Sequence, residues 1–247
     1  MSKLTTKNIK DMYNKSIKSN YKSDYEYYRW FSERTSWEDY RMTHETLNFH
    51  LSNLKIKNCL EVGSGAATWT KLILKKNDNI SMTLCDISEA MIEQAKMNLG
   101  NKPNIKYFTE DFTLYNETDN HDFFFSIRAI EYMPEKEKVI NNIKKSLKKN
   151  GTGLIMMKNP LSIGRFVSAL FKKKNLAHTE QISAEDFKKK LKKAGFKSIK
   201  VYPAAVFFPP IKHIFFIGNF IWRQIYKKEM GFIGKLFSES YIITFKK

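Results

Sequence analysis

The chain is poor in the residues that staple, punctuate or anchor a fold. It has 2 cysteines in 247 residues, Cys59 and Cys85, too few for a disulfide framework. Neither lies in a Cys-x-x-Cys pair or a Cys/His cluster, so no metal site is expected. With only 10 Gly and 6 Pro, collagen-like and low-complexity architectures are excluded. No apolar run reaches the roughly 18 residues of a spanning helix; the nearest, HIFFIGNFIW at 213–222, is too short. The opening segment lacks the apolar core of a secretory signal, so the expected location is cytoplasmic. Arginine is scarce as well, at 6 of the 43 basic residues.

What is present is globular: 42% hydrophobic and 28% charged residues. The net charge of +18 is unevenly placed. Residues 1–134 hold 18 basic and 18 acidic side chains, whereas residues 135–247 hold 25 and 7, which is the whole excess. Such asymmetry implies that one face meets something anionic: nucleic acid, a phosphorylated substrate or a membrane surface.

No repeat or linker divides the chain, so a single domain over 1–247 is expected. Residues 1–55 read as a helical, polar-aromatic extension in which Tyr21, Tyr25, Tyr28 and Trp30 stand close together. Apolar runs then alternate with helical patterns. Strands are predicted in KNCLEVG (57–63), SMTLCDIS (81–88), NIKYFTED (104–111), HDFFFSIRAIEY (121–132), TGLIMMKNP (152–160), SIKVYPAAVFF (198–208) and SESYIITFKK (238–247). Helices are predicted in TWTKLILKK, in EAMIEQAKMNLG with its terminal glycine, and in PEKEKVINNIKKSLKKNG up to Gly151. SAEDFKKKLKKAGF begins with a Ser cap and acids in its first turn. This order predicts a doubly wound α/β fold with a mostly parallel seven-stranded sheet, the last strand pairing antiparallel after a helical insertion.

The sharpest motif is LEVGSGAAT (60–68). A strand ends in Glu61, then Gly63-Ser64-Gly65 opens a helix, so backbone can approach a ligand closely at a helix start. Trp69 replaces the third glycine of a dinucleotide fingerprint, and Glu61 would repel a pyrophosphate. A cationic or hydroxyl-bearing ligand suits it better. Asp86 ends the second strand, where a carboxylate can accept the two ribose hydroxyls of an adenosine-type ligand. Asp111 ends the third, where an acid can accept an adenine amino group while Phe112 covers the ring.

The pieces LEVGSGAAT, LCDISEAMIEQAK, TEDF, FFFSIRAIEYMPEKEK and GTGLIMMKNP follow one another over residues 55–160. Together they resemble the class I S-adenosylmethionine-dependent methyltransferases, nearest to the ubiquinone-biosynthesis type. That resemblance implies a Rossmann-like methyltransferase fold and S-adenosylmethionine as cofactor. It also implies that Glu61, Gly63, Ser64 and Gly65 hold the methionine end, Asp86 the ribose, and Ile87, Met91, Asp111 and Phe112 the adenine. Ile127 and Arg128 would line the methyl-donor side. Residues 1–55 would then be a lid, 56–160 the cofactor-binding core, and 161–247 a basic C-terminal half. One departure is Ala67, where that loop often has a third glycine.

The resemblance leaves the acceptor open. Methyl transfer mainly needs alignment and a deprotonated nucleophile, and the candidate catalytic residues after the fourth strand are Glu131 and Tyr132. His44, His50 and His178 are further candidate bases; His121 reads as a strand cap and His213 as a helix-surface residue. The expected activity is methylation of an oxygen, nitrogen or carbon of a small molecule that is hydrophobic, anionic or lipid-linked. Alternatives are an RNA methyltransferase, which the scarcity of Arg argues against, and a non-catalytic cofactor-binding partner subunit. The insertion at 209–236 carries Phe216, Phe220 and Trp222 beside Lys212, Arg223, Lys227 and Lys228. This pattern predicts an interfacial helix on the inner face of an anionic membrane, with a pocket wall or a dimer face as the other readings.

Overall fold

A computed structural model of the chain describes residues 5–19, 24–100, 102–164, 181–206 and 215–247. Seven strands form one sheet: β1 (Asn58–Val62), β2 (Ser81–Asp86), β3 (Ile105–Thr109), β4 (His121–Ile127), β5 (Leu147–Lys158), β6 (Lys197–Val206) and β7 (Ser238–Lys246). Their order is β3-β2-β1-β4-β5-β7-β6. The first five pair in parallel, and β7 runs antiparallel between β5 and β6. The expected doubly wound sheet with an antiparallel last strand is what forms.

Both faces of the sheet are covered, which explains why its strands read as continuous apolar runs. Cys59, Phe123, Phe125 and Leu154 point to one face, where they meet Leu47, Leu51 and Ile73. Leu60, Val62, Phe124 and Ile155 point to the other, where Ile140, Ile143, Phe187 and Leu191 pack. The helices on these faces are α2 (Arg34–Leu51), α3 (Thr70–Leu74), α4 (Glu89–Leu99), α5 (Lys136–Ser146) and α6 (Ala184–Lys193), with α1 (Thr6–Ser19) packed on α4. Helices α7 (Phe215–Ile225) and α8 (Phe232–Phe237) precede β7. Cys59 and Cys85 are free and buried within the strands.

The caps agree with the sequence. The Ser88 hydroxyl accepts the N–H of Met91 at the start of α4, and the Ser183 hydroxyl accepts the N–H of Asp186 at the start of α6. One helix is shorter than predicted: α5 stops at Ser146 rather than at Gly151. Leu147 is fully buried and pairs with His121, so docking of its side chain pulls the chain into β5 five residues early.

The insertion before β7 also differs from expectation. Trp222 is fully buried, and its indole N–H donates to the Ala204 carbonyl at 2.9 Å and the Thr46 hydroxyl at 3.2 Å. It is therefore a core residue joining α7 to β6 and α2, not a membrane-boundary residue. Phe220 is exposed at 66%. Residues 207–214, with Lys212 and His213, and the side chain of Phe216 lie outside the described residues. Among the described residues no helix is long and apolar enough to cross a membrane.

Candidate functional site

A cavity opens at the carboxyl ends of β1, β2 and β4, the edge where doubly wound sheets bind ligands. Its floor is the turn after β1. Gly63 (φ 71°) and Gly65 (φ 54°) take left-handed conformations there. A Cβ on Gly63 would stand 2.0 Å from the Cβ of Ala129, so no side chain fits. A Cβ on Gly65 would meet only the Met91 sulfur at 3.9 Å, because this residue faces open space. Ala67 keeps a glycine-like backbone (φ 65°) while wholly buried, so the turn absorbs the extra methyl.

Asp86 ties this turn to the end of β2. Its Oδ2 accepts the N–H of Gly65 at 2.9 Å, and its Oδ1 accepts the N–H of Ser88 at 2.9 Å. The carboxylate keeps acceptor capacity for a further donor. Burial pushes the carboxyl above the ordinary value, while the N–H groups of Ser88, Gly65 and Ile87 draw it back. Extra donors from a ligand would favour the carboxylate further. Ser64 lines the same wall, and its buried hydroxyl has no hydrogen-bond partner. Ile87, Met91, Asp111 and Phe112 line the neighbouring part, with Asp111 Oδ1 accepting the N–H of Thr113 at 2.9 Å.

Ile127 and Arg128 line the β4 side, as does Tyr132. Burial and the Glu131 charge raise the Tyr132 phenol above its ordinary value, against the pull of Arg128 and Tyr13. It therefore carries its proton at neutral pH. Two expected acids stand behind the wall instead of lining it. Glu61 is 1% exposed and accepts the Thr70 hydroxyl at 2.6 Å; burial pushes its carboxyl up to about 8. Glu131 is fully buried, accepts Arg128 Nε at 3.1 and 3.3 Å, and accepts the N–H of Lys158 at 2.6 Å.

The roof comes from the N-terminal helices. Thr6, Ile9 and Tyr13 form a helical stripe on α1 that faces the cavity, joined by Tyr25, Arg29 and Trp30. Helix α1 is fastened to α4: Lys10 pairs with Glu89 at 2.7 Å, and the Ser88 hydroxyl donates to Asn14 Oδ1 at 2.6 Å. Tyr28 packs on Tyr27 away from the cavity lining, and Tyr21 lies outside the described residues. Tyr13 and Arg29 are the residues that sequence reading misses. The i, i+4 spacing of Ile9 and Tyr13 was the available signal for the first.

No histidine among the described residues lines the cavity. His44 lies beside the Tyr40 ring, His50 against Tyr202, and buried His121 has its Nε2 3.1 Å from the Tyr115 hydroxyl. His178 lies outside the described residues. Lysines 145, 149, 193 and 197 gather where α5 and α6 end and β5 and β6 begin, the end of the sheet opposite the cavity. Among the described residues no His/Cys/Asp/Glu group could hold a metal ion.

Comparison with known proteins agrees with this geometry. Residues 59–151 match a family model described as a methyltransferase domain. Malonyl-[acyl-carrier protein] O-methyltransferase 1 of Ilyobacter polytropus is 36% identical over 86 residues, covering 35% of this chain and 32% of that protein. The chain thus spans about a third of the length of the curated relatives it matches. Among solved structures, phosphoethanolamine N-methyltransferase 2 of Haemonchus contortus, in complex with S-adenosyl-L-methionine, superposes with a TM-score of 0.64 at 15% identity, over 95% of this chain and 60% of that one. A SAM-dependent methyltransferase of Thermotoga maritima gives 0.64 at 15% identity, over 96% and 99%. Residues 59–151 are thus similar to a methyltransferase domain, and the seven-stranded sheet that contains them has the fold of the class I S-adenosylmethionine-dependent methyltransferases.

Proposed function

We propose that this chain transfers a methyl group from S-adenosylmethionine to a small-molecule acceptor, both bound in the cavity under α1. The observation that carries the reading is the Asp86–Gly65 link. A carboxylate with spare lone pairs stands beside a backbone turn open to solvent and a buried, unpartnered Ser64 hydroxyl. These groups suit an adenosine-type ligand with a hydroxyl pair at one place and a charged amino-acid end at another. When bound, the cofactor supplies an electrophilic methyl group on a positively charged sulfur.

In this reading Asp86 accepts the ribose hydroxyls. Ile87, Met91 and Phe112 enclose the adenine, and Asp111 accepts its amino group. The Gly63–Gly65 turn and Ser64 meet the amino-acid end. Glu61 acts from behind by holding Thr70, the first residue of α3, against β1. Residues 1–55 serve as the lid over a core at 56–160: Ile9, Tyr13 and Trp30 exclude water from the reacting groups, which strengthens every charge interaction inside. Tyr132 keeps its proton and donates a hydrogen bond to the acceptor, while Glu131 fixes Arg128. Methylation of an oxygen on a small or carrier-linked acyl molecule is favoured, in line with the names of the Ilyobacter relatives.

Isothermal calorimetry with S-adenosylhomocysteine tests the cofactor assignment. Binding near the micromolar range, about −8 kcal/mol, is expected. Tight binding of NAD with none of S-adenosylhomocysteine would overturn it.

A further inference from the structure

The charges lining the cavity are sorted by sign. Its acids, Asp86, Glu110 and Asp111, all follow β2 and β3, where the nucleoside is assigned. Its two guanidinium groups, Arg29 and Arg128, lie on the N-terminal helices and at the end of β4. Each has a carboxylate partner that does not line the cavity: Glu131 behind Arg128, and Asp39, with Oδ2 at 3.8 Å, behind Arg29. The positive ends therefore face the ligand space and the negative ends are buried away from it.

Arg128 is held with unusual firmness. Its backbone takes the left-handed region (φ 62°), which a long side chain adopts only where the surroundings enforce it. Its N–H is fixed on the Met156 carbonyl at 2.8 Å. Both oxygens of Glu131 grip its Nε, and Glu131 is itself anchored by the Lys158 N–H. Yet Nη1 of Arg128 is buried with no hydrogen-bond partner. A planar, permanently charged fork with an unused donor is the group that best recognises a carboxylate or phosphate. The arginine side of the cavity also lacks an evident base among the described residues, since the lining carboxylates all stand on the nucleoside side, no histidine lines the cavity, and Tyr132 is held protonated. A neutral nucleophile would need such a base; an ionised acid does not.

We propose that Arg128, together with Arg29, binds an anionic group of the methyl acceptor, a carboxylate or a phosphate, and that Glu131 is the positioning residue that orients Arg128. This rests on the methyltransferase reading of the cavity. The acceptor is accordingly an acid that arrives already ionised. The competing source of the same chemistry is the amino-acid carboxylate of the cofactor itself, and the experiment separates the two.

The probe is a set of matched small molecules, each acid paired with its neutral amide or alcohol, titrated by ligand-observed NMR onto protein saturated with S-adenosylhomocysteine. Acids should bind at least tenfold more tightly than their neutral partners. The Arg128→Gln/Glu131→Gln double variant removes both charges together, so no buried charge is stranded. It should lose that preference while S-adenosylhomocysteine affinity stays within threefold. Arg128→Lys, which keeps the charge and loses the fork, should fall between, and serves if the double variant does not fold. Equal binding of acids and neutral partners would overturn the proposal, as would an acid preference that survives both variants. A tenfold loss of S-adenosylhomocysteine affinity with the acid preference intact would assign Arg128 to the cofactor carboxylate instead. Failure of the unaltered protein to bind S-adenosylhomocysteine would overturn the underlying reading alone, and the acid-against-amide comparison on the free protein would still decide the anion site.

Discussion

The backbone N–H of Gly65 donates to Oδ2 of Asp86 over 2.9 Å, joining the turn after β1 to the last residue of β2. One side chain thus shapes the glycine turn and offers its remaining lone pairs to a ligand.

Asp86→Ala should weaken S-adenosylhomocysteine binding by about 1.5–3 kcal/mol, since charge-assisted hydrogen bonds are lost. Asp86→Asn should lose less, because an amide oxygen can still accept from Gly65. Calorimetry on the two variants checks the order, and unchanged affinity in the alanine variant would remove Asp86 from the site.

Gly63→Ala should cost more than Gly65→Ala. Both need a positive φ, but only at Gly63 would the new methyl collide with another residue, Ala129. Strain of about 1–3 kcal/mol is expected from the backbone alone, with the clash added to it. Thermal melting should therefore fall further for Gly63→Ala; equal melting temperatures would contradict the described packing of the turn.

Glu61 makes stability depend on pH in a definite direction. Burial raises its folded-state value from 4.5 to about 8, so the folded protein holds this proton where the unfolded chain has released it. Its contribution is complete below about pH 4.5 and is lost as pH rises toward 8. Glu61→Gln can still accept the Thr70 hydroxyl and has no proton to lose. Urea unfolding at a series of pH values should show the native protein losing stability relative to this variant between pH 5 and pH 8. A constant difference would refute the shift.

Trp222 and Phe220 separate a core role from a surface role within one helix. Trp222→Ser removes a wholly buried ring and its two hydrogen bonds, and should cost about 3–5 kcal/mol. Phe220→Ser, at an exposed position, should stay within about 0.5 kcal/mol. Denaturant midpoints decide. A harmless Trp222→Ser would return the whole helix to the surface.

The strands, the glycine turn and Asp86 were legible because their signals are local: apolar runs, a turn, and an acid at a strand end. The placement of the two glutamates was not. Glu61 is held behind the cavity wall by Thr70, and Glu131 by Lys158, partners that only the folded chain brings near. Trp222 reads as amphipathic beside its basic neighbours, and only the Ala204 carbonyl on β6 explains its burial. Helix α5 ends early for the same reason, a tertiary contact of Leu147 that outweighs the helical pattern continuing to Gly151.

Strand β7 occupies the seam between β5 and β6, antiparallel to both. During synthesis β3, β2, β1 and β4 can pair as soon as they emerge, while β5 presents one open apolar edge and β6 has no neighbour at all. Both wait for residues 238–246. The nascent protein thus passes through a stage with its ligand-binding half assembled and an unprotected edge beside it, the condition in which chains pair with one another. Losing β7 would cost the sheet two strands rather than one, because β6 joins the sheet only through it.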